Sequence, residues 1–253
     1  MSKTILKALA VFLLGVLGGV WSQTSLLPYL AENSLFQNLI SLDYLGERQV
    51  TVNPTQTITV QENTALTQTA ERVDKTVVGV RTETVDGKIL EGSGLVVTSD
   101  GLIVTLADLV PQGSEFYFYV DGQWPSYQIL KRDLENNLAL VKLGEGGLST
   151  TGFADLNKTK IGERVLLLEM EFEEVEAATG TEMLLLPVPN IAVNEGIISS
   201  ISEDVVKTNI QDSQAAGSPL FNIAGDIIGL SQVNENGRVS AIPISVVRSF
   251  VGF

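Results

Sequence analysis

The sequence predicts an all-β body preceded by one apolar helix, and three observations carry that reading. From residue 70 onward short β-branched runs recur at close spacing, the pattern of a barrel or sandwich. Asp-Gly pairs at Asp86-Gly87, Asp100-Gly101 and Asp121-Gly122 fall between such runs, where glycine supplies the positive φ of a tight hairpin. The first residues instead hold two lysines and then an uncharged apolar stretch, the charge order of a signal anchor or signal peptide.

The elements follow in order. Residues 8–21 (ALAVFLLGVLGGVW) are short against the roughly 17–25 residues of a membrane span. Ile5 and Leu6, with Lys7 snorkelling, bring the stretch near that length. Lys3 and Lys7 precede it, whereas Glu32, Asp43 and Glu47 follow. This predicts a single-pass protein of the cell membrane, N-terminus inside and body outside. Cleavage near residues 20–22 would secrete the body instead, and no cysteine follows to carry a lipid anchor. The expected divisions are a signal anchor or peptide over 1–22, a juxtamembrane segment and linker over 23–69, and the β body over 70–253. Within the linker, 26–45 reads as partly helical and 46–68 as extended. Strand-like runs occupy residues 76–81, 94–98, 102–105, 115–120 and 138–143, then 164–168, 196–199, 226–230 and 239–243. A closing helix is expected over 244–250, just after Pro243.

Composition narrows the chemistry. The chain has 253 residues, 16 basic and 30 acidic side chains, and a formal net charge of −14, which argues against a nucleic-acid partner. There is no cysteine, hence no disulfide, thiolate nucleophile or sulfur-ligated metal. There is also no histidine, which removes the Ser-His-Asp triad and every imidazole metal site. No cofactor is indicated.

Six stretches, in order, carry a family resemblance. Residues 92–105 read GSGLVVTSDGLIVT, 120–133 open on Val120-Asp121-Gly122 and end on Arg132-Asp133, and 137–142 read NLALVK. Residues 196–199 read GIIS, 217–229 read GSPLFNIAGDIIG, and 241–248 read AIPISVVR. Together they resemble the HtrA/Deg family of trypsin-like serine proteases over about 70–253. The resemblance implies a chymotrypsin-like double β-barrel, barrel 1 about 70–150 and barrel 2 about 151–253, with a cleft between them. The family's PDZ domains are not matched in this sequence.

On that resemblance the family's catalytic histidine falls at Asp108, its aspartate at Asn137 and its nucleophilic serine at Ala216. The loop that would build the oxyanion hole is Gln214, Ala215, Ala216 and Gly217, with glutamine where the family has glycine. Ala216 offers no hydroxyl, and an Asp with a reference pKa of about 3.9 is a feeble base for a serine proton. Ser213 and Ser218 lie close in sequence but read as turn residues, with no nearby lysine to suggest a Ser-Lys dyad. Ser99-Asp100-Gly101 has the wrong order for an aspartic-protease loop and reads as a hairpin turn.

The resulting expectation is a pseudoprotease, not an enzyme, that binds peptides or partner proteins outside the membrane, with a regulatory or scaffolding role. A surviving cleft edge would pair with an extended peptide by β-augmentation. The alternative is an active serine endopeptidase-like hydrolase with a displaced site. The resemblance also implies an oligomer, because the family commonly forms trimers. One stretch stands apart: Glu163, Glu169, Glu171, Glu173, Glu174, Glu176 and Glu182 crowd a short span, and 169–173 alternate with apolar residues. The period of two predicts a strand with one acidic, solvated face. Its functional alternative is a Ca²⁺ or basic-peptide site, without the ligand spacing of a specific metal loop.

Overall fold

The structure, a computed structural model, describes residues 3–26, 58–179 and 182–253. It divides into two units, residues 1–56 and 57–253. The first holds helix α1 (Lys3–Trp21), which continues as a π-helical turn, Ser22–Leu26. Among the described residues no helix is long and apolar enough to cross a membrane. The segment expected to span a membrane is α1, 19 residues long with Lys3 and Lys7 inside it. The segment expected to be juxtamembrane lies, beyond Leu26, outside the described residues.

The second unit opens with helix α2 (Ile58–Val73), where an extended linker was expected to run to 68. Residues 46–57 of that linker lie outside the described residues. The helix forms because Leu66, Thr69 and Val73 recur at helical spacing and all three are buried. Thr69 Oγ1 donates to the Ile223 carbonyl at 2.8 Å, and Arg72 Nη2 to the Ala224 carbonyl at 2.6 Å. Those bonds tie α2 to a hairpin far along the chain.

The first sheet contains β1 (Val77–Glu83), β2 (Ile89–Val96), β3 (Leu102–Leu106), β4 (Glu115–Tyr119), β5 (Tyr127–Asp133) and β6 (Leu138–Leu143). Its order is β4-β1-β2-β3-β6-β5, antiparallel throughout. The sheet is open between β4 and β5, and Phe118 and Tyr127 bridge that gap edge to face at 5.2 Å. The second contains β7 (Arg164–Thr179), β8 (Glu182–Ile201), β9 (Val206–Gln211), β10 (Pro219–Asn222), β11 (Ile227–Val233) and β12 (Arg238–Pro243). It closes on itself in the order β10-β11-β12-β9-β8-β7. Two six-stranded antiparallel sheets, one closed and one half-rolled, are the architecture of a chymotrypsin-like double barrel. Helix α3 (Ile244–Val251) follows Pro243 and buries Ile244, Val247 and Phe250.

The turns lie where the Asp-Gly pairs put them. Gly87 (φ 78°), Gly101 (φ 100°) and Gly122 (φ 84°) are all left-handed. The runs expected at 164–168 and 196–199 are instead the bases of one long hairpin, β7–β8, paired from Arg164 with Ile197 to Thr179 with Glu182. This hairpin lies against β1, where a Cβ on Gly79 would sit 2.7 Å from the Met170 side chain and 2.8 Å from Phe172. The alternating acidic residues lie on β7 as expected, but Glu169 is buried, at 1% exposure, rather than solvated.

Candidate functional site

The three positions singled out in the sequence lie on three turns. Asp108 occupies a 3₁₀ turn (Ala107–Leu109) that leaves β3, and it is exposed. Asn137 stands just before β6 with φ 54°, a left-handed conformation that Asn tolerates because its short amide bonds locally. The structure joins the two residues. Asp108 N–H donates to Asn137 Oδ1 at 3.0 Å, and Asn137 Nδ2 donates to Asp108 Oδ2 at 2.9 Å. The Asn137 carbonyl also accepts from Ala107 N–H at 3.1 Å. Asn137 therefore clamps the turn that presents Asp108.

Ala216 lies in the loop between β9 and β10, half-buried. Its carbonyl accepts from Ser93 N–H at 2.9 Å, seating the loop on β2. Close approach at that seat demands glycine twice. A Cβ on Gly92 would lie 2.5 Å from the Ala216 carbonyl oxygen, and one on Gly217 (φ 74°) 2.3 Å from the Ser93 carbonyl oxygen. Leu109 lies against both glycines, so the Asp108 turn and the Ala216 loop face one another through it.

Three of the loop's amides have partners. Gln214 N–H donates to Asp212 Oδ1 at 2.8 Å, Ala216 N–H to the Gln214 carbonyl at 2.8 Å, and Gly217 N–H to the Ser231 carbonyl at 2.9 Å. The Ala215 carbonyl accepts from the Ser231 hydroxyl. An oxyanion hole needs such N–H groups aimed outward at a substrate oxygen. In this structure those of Gln214, Ala216 and Gly217 are already engaged. Ser218 is buried and its hydroxyl pairs with Ser93 Oγ at 3.2 Å, whereas Ser213 is exposed.

A groove leaves the loop and runs between β1–β2 and the β7–β8 hairpin. One section of about 580 Å³ is lined by Ser213, Gln214, Glu91, Phe172 and Glu174 with Arg81 and Ile89. The next, about 430 Å³, shares Arg81 and Ile89 and adds Glu83, Tyr117, Trp124 and Pro187. Arg81 is paired with Glu91 and, at 3.2 Å, with Glu174. Trp124 stacks on Phe172 at 6.2 Å between centroids. Beyond Leu230, where the β11–β10 pairing ends, Ser231 exchanges backbone hydrogen bonds with Gly217 and Ser218 of the loop, while the β11–β12 pairing continues to Val233.

Sequence reasoning missed a further cluster. Glu169 on β7, Asn194 on β8 and Asp212 at the start of the loop converge. Asn194 Nδ2 lies 3.0 Å from Glu169 Oε1 and 2.5 Å from Asp212 Oδ2. Glu169 Oε2 is buried with no hydrogen-bond partner. Burial pushes the Glu169 carboxyl up from 4.5 to about 8. The adjacent Asp212 carboxylate and then Glu171 add to the rise, and the Asn194 hydrogen bond opposes it. The period-two glutamates were the only sequence signal, and they pointed to solvent. Among the described residues no group of three or more His, Cys, Asp or Glu side chains is placed to hold a metal ion.

Two antiparallel six-stranded sheets, with the loop before β10 seated on β2, define a trypsin-like architecture. The chain belongs to the trypsin-like peptidase domain family, whose pattern matches residues 92–230, more than half of its length. It is 30% identical over 171 residues to a "Probable periplasmic serine endoprotease DegP-like" of Halomonas elongata, covering 61% of this chain and 33% of that protein. A protein of the same name from Rhizobium meliloti is 27% identical over 178 residues, covering 64% of this chain and 32% of its own length. The chain thus spans about a third of the curated relatives it matches. These findings overturn the expectation of a non-enzyme drawn from the missing triad. The family is a peptidase family, and relatives at 27–30% identity are named serine endoproteases.

Proposed function

We propose that this chain is the peptidase-type domain of an extracytoplasmic protein and that its groove takes an extended polypeptide. One observation carries the reading: two adjoining cavities, reaching from Gln214 to Trp124, share the walls Arg81 and Ile89. Apolar and aromatic groups line it, Ile89 and Phe172 near the loop and Tyr117 and Trp124 beyond, so side-chain pockets are on offer. The apolar run of α1 behind Lys3 and Lys7 fits an export signal, and the relatives' periplasmic names agree with a location outside the cytoplasm.

The test places a photo-crosslinking amino acid at position 216 of the full chain and adds an unfolded casein. Crosslinked product that falls when Trp124 is replaced by Ala supports the reading, and its absence sinks it.

A second reading keeps the relatives' chemistry with a displaced nucleophile. Ser213 is an exposed hydroxyl lining the groove beside Gln214. Fluorophosphonate labelling and casein cleavage, both lost in Ser213→Ala, would support it, and an unlabelled Ser213 would remove it.

A further inference from the structure

Besides its backbone bonds, the loop between β9 and β10 is held by a side-chain network at its root. Asp212 stands at its root. Its backbone N–H donates to the Gly237 carbonyl at 2.7 Å, its Oδ1 takes the Gln214 N–H, and its Oδ2 takes Asn194 Nδ2. Asn194 in turn reaches Glu169, whose second oxygen is buried without a partner. One amide group thus serves two carboxyl groups, and the deeper of the two has no cation beside it. The charged groups that face Glu169 are Asp212, from the loop, and Glu171, from β7 itself, both acidic. Asn194 is the polar contact from β8.

We propose that Glu169, Asn194 and Asp212 form a proton-operated latch that keeps the Gln214 N–H engaged within its own loop. A carboxyl group buried without a partner, with a second carboxylate beside it, resists ionisation. With the proton present, Glu169 is neutral and Asp212 stays in place to occupy the Gln214 N–H. When the proton leaves, Glu169 cannot move, being fixed in the middle of β7, whereas Asp212 is partly exposed at a loop root. Asp212 is therefore the group that gives way, and it releases the Gln214 N–H toward the groove. The raised Glu169 carboxyl places this event near pH 8. The latch does not depend on what the groove binds.

Amide hydrogen exchange of the full chain, corrected for intrinsic chemistry at each pH, tests it between pH 6.5 and 9.5. Segments covering 212–217 should exchange at least about tenfold faster above the transition, while β1 and β3 stay unchanged. Glu169→Gln keeps the neutral shape and should leave the loop protected across the range. Asp212→Asn removes the repelled charge and should abolish the transition even where the glutamine variant folds poorly. A loop whose protection is flat with pH in the unaltered chain would overturn the latch, as would a transition that survives both substitutions.

Discussion

Two carboxylate–amide pairs in this protein use the same chemical groups and do opposite things. Asp108 and Asn137 exchange two hydrogen bonds in the open, on turns that meet at the surface. Glu169 and Asp212 share Asn194 at the base of a long hairpin, with Glu169 at 1% exposure. Water sets the difference. Around Asp108 it solvates the carboxylate and the amide merely shapes a turn. Around Glu169 it is missing, so the carboxyl keeps its proton to about pH 8 and its charge state becomes coupled to a loop. Family resemblance draws the eye to the exposed pair, whereas burial points to the other.

The comparison can be broken most forcefully through pH. The folded Glu169 carboxyl lies near 8 against 4.5 for the free group, so folded protein holds a proton that unfolded chain has released. The sign follows: this contribution is fully present below about pH 4.5 and is gone above about pH 8. Urea unfolding should show stability falling by up to about 1.4 kcal/mol per pH unit across that window. In Glu169→Gln this component of the slope should vanish, and an unaltered slope would place Glu169 in water.

Asn194→Leu comes next, because it strips the amide from two carboxyl groups at once. A loss of about 3 kcal/mol is expected at pH 9, read by the urea midpoint, and less at pH 6. Asn137→Ala should cost about 2 kcal/mol, part from the lost clamp and part from placing a Cβ-bearing residue without a bonding amide at φ 54°. Asn137→Gly, measured beside it, should recover the backbone share. Smallest is Asp108→Asn, expected within about 0.5 kcal/mol of the parent at any pH. A large effect there would show that the exposed pair holds more than a turn.

How much of this could be read from the chain alone varies by element. The Asp-Gly pairs marked three tight turns, two of them in hairpins, because a positive φ has few other solutions. Strand β5 escaped because YQILKRD at a sheet edge keeps no buried face. Strand β9 alternates cleanly between buried and exposed residues, but Lys and Asn on its outer face masked it. Helix α2 is rich in Thr and Val, poor helix formers, and exists because Leu66 and Val73 are buried in the core while Thr69 and Arg72 bond a distant hairpin. The positions of Asp108, Asn137 and Ala216 were located by resemblance, and their mutual bonds came only from coordinates. Glu169 shows the limit most clearly. Alternation put it on one face of a strand, but whether that face meets water depends on a loop that the strand's sequence does not contain.

The most direct test of the buried pair is a carbon-detected NMR titration of the Glu169 carboxyl in the full chain. A midpoint near pH 8, moving with the Gln214 amide signal, is the predicted result. A midpoint between about 4 and 5, with the Gln214 amide unmoved, would contradict it.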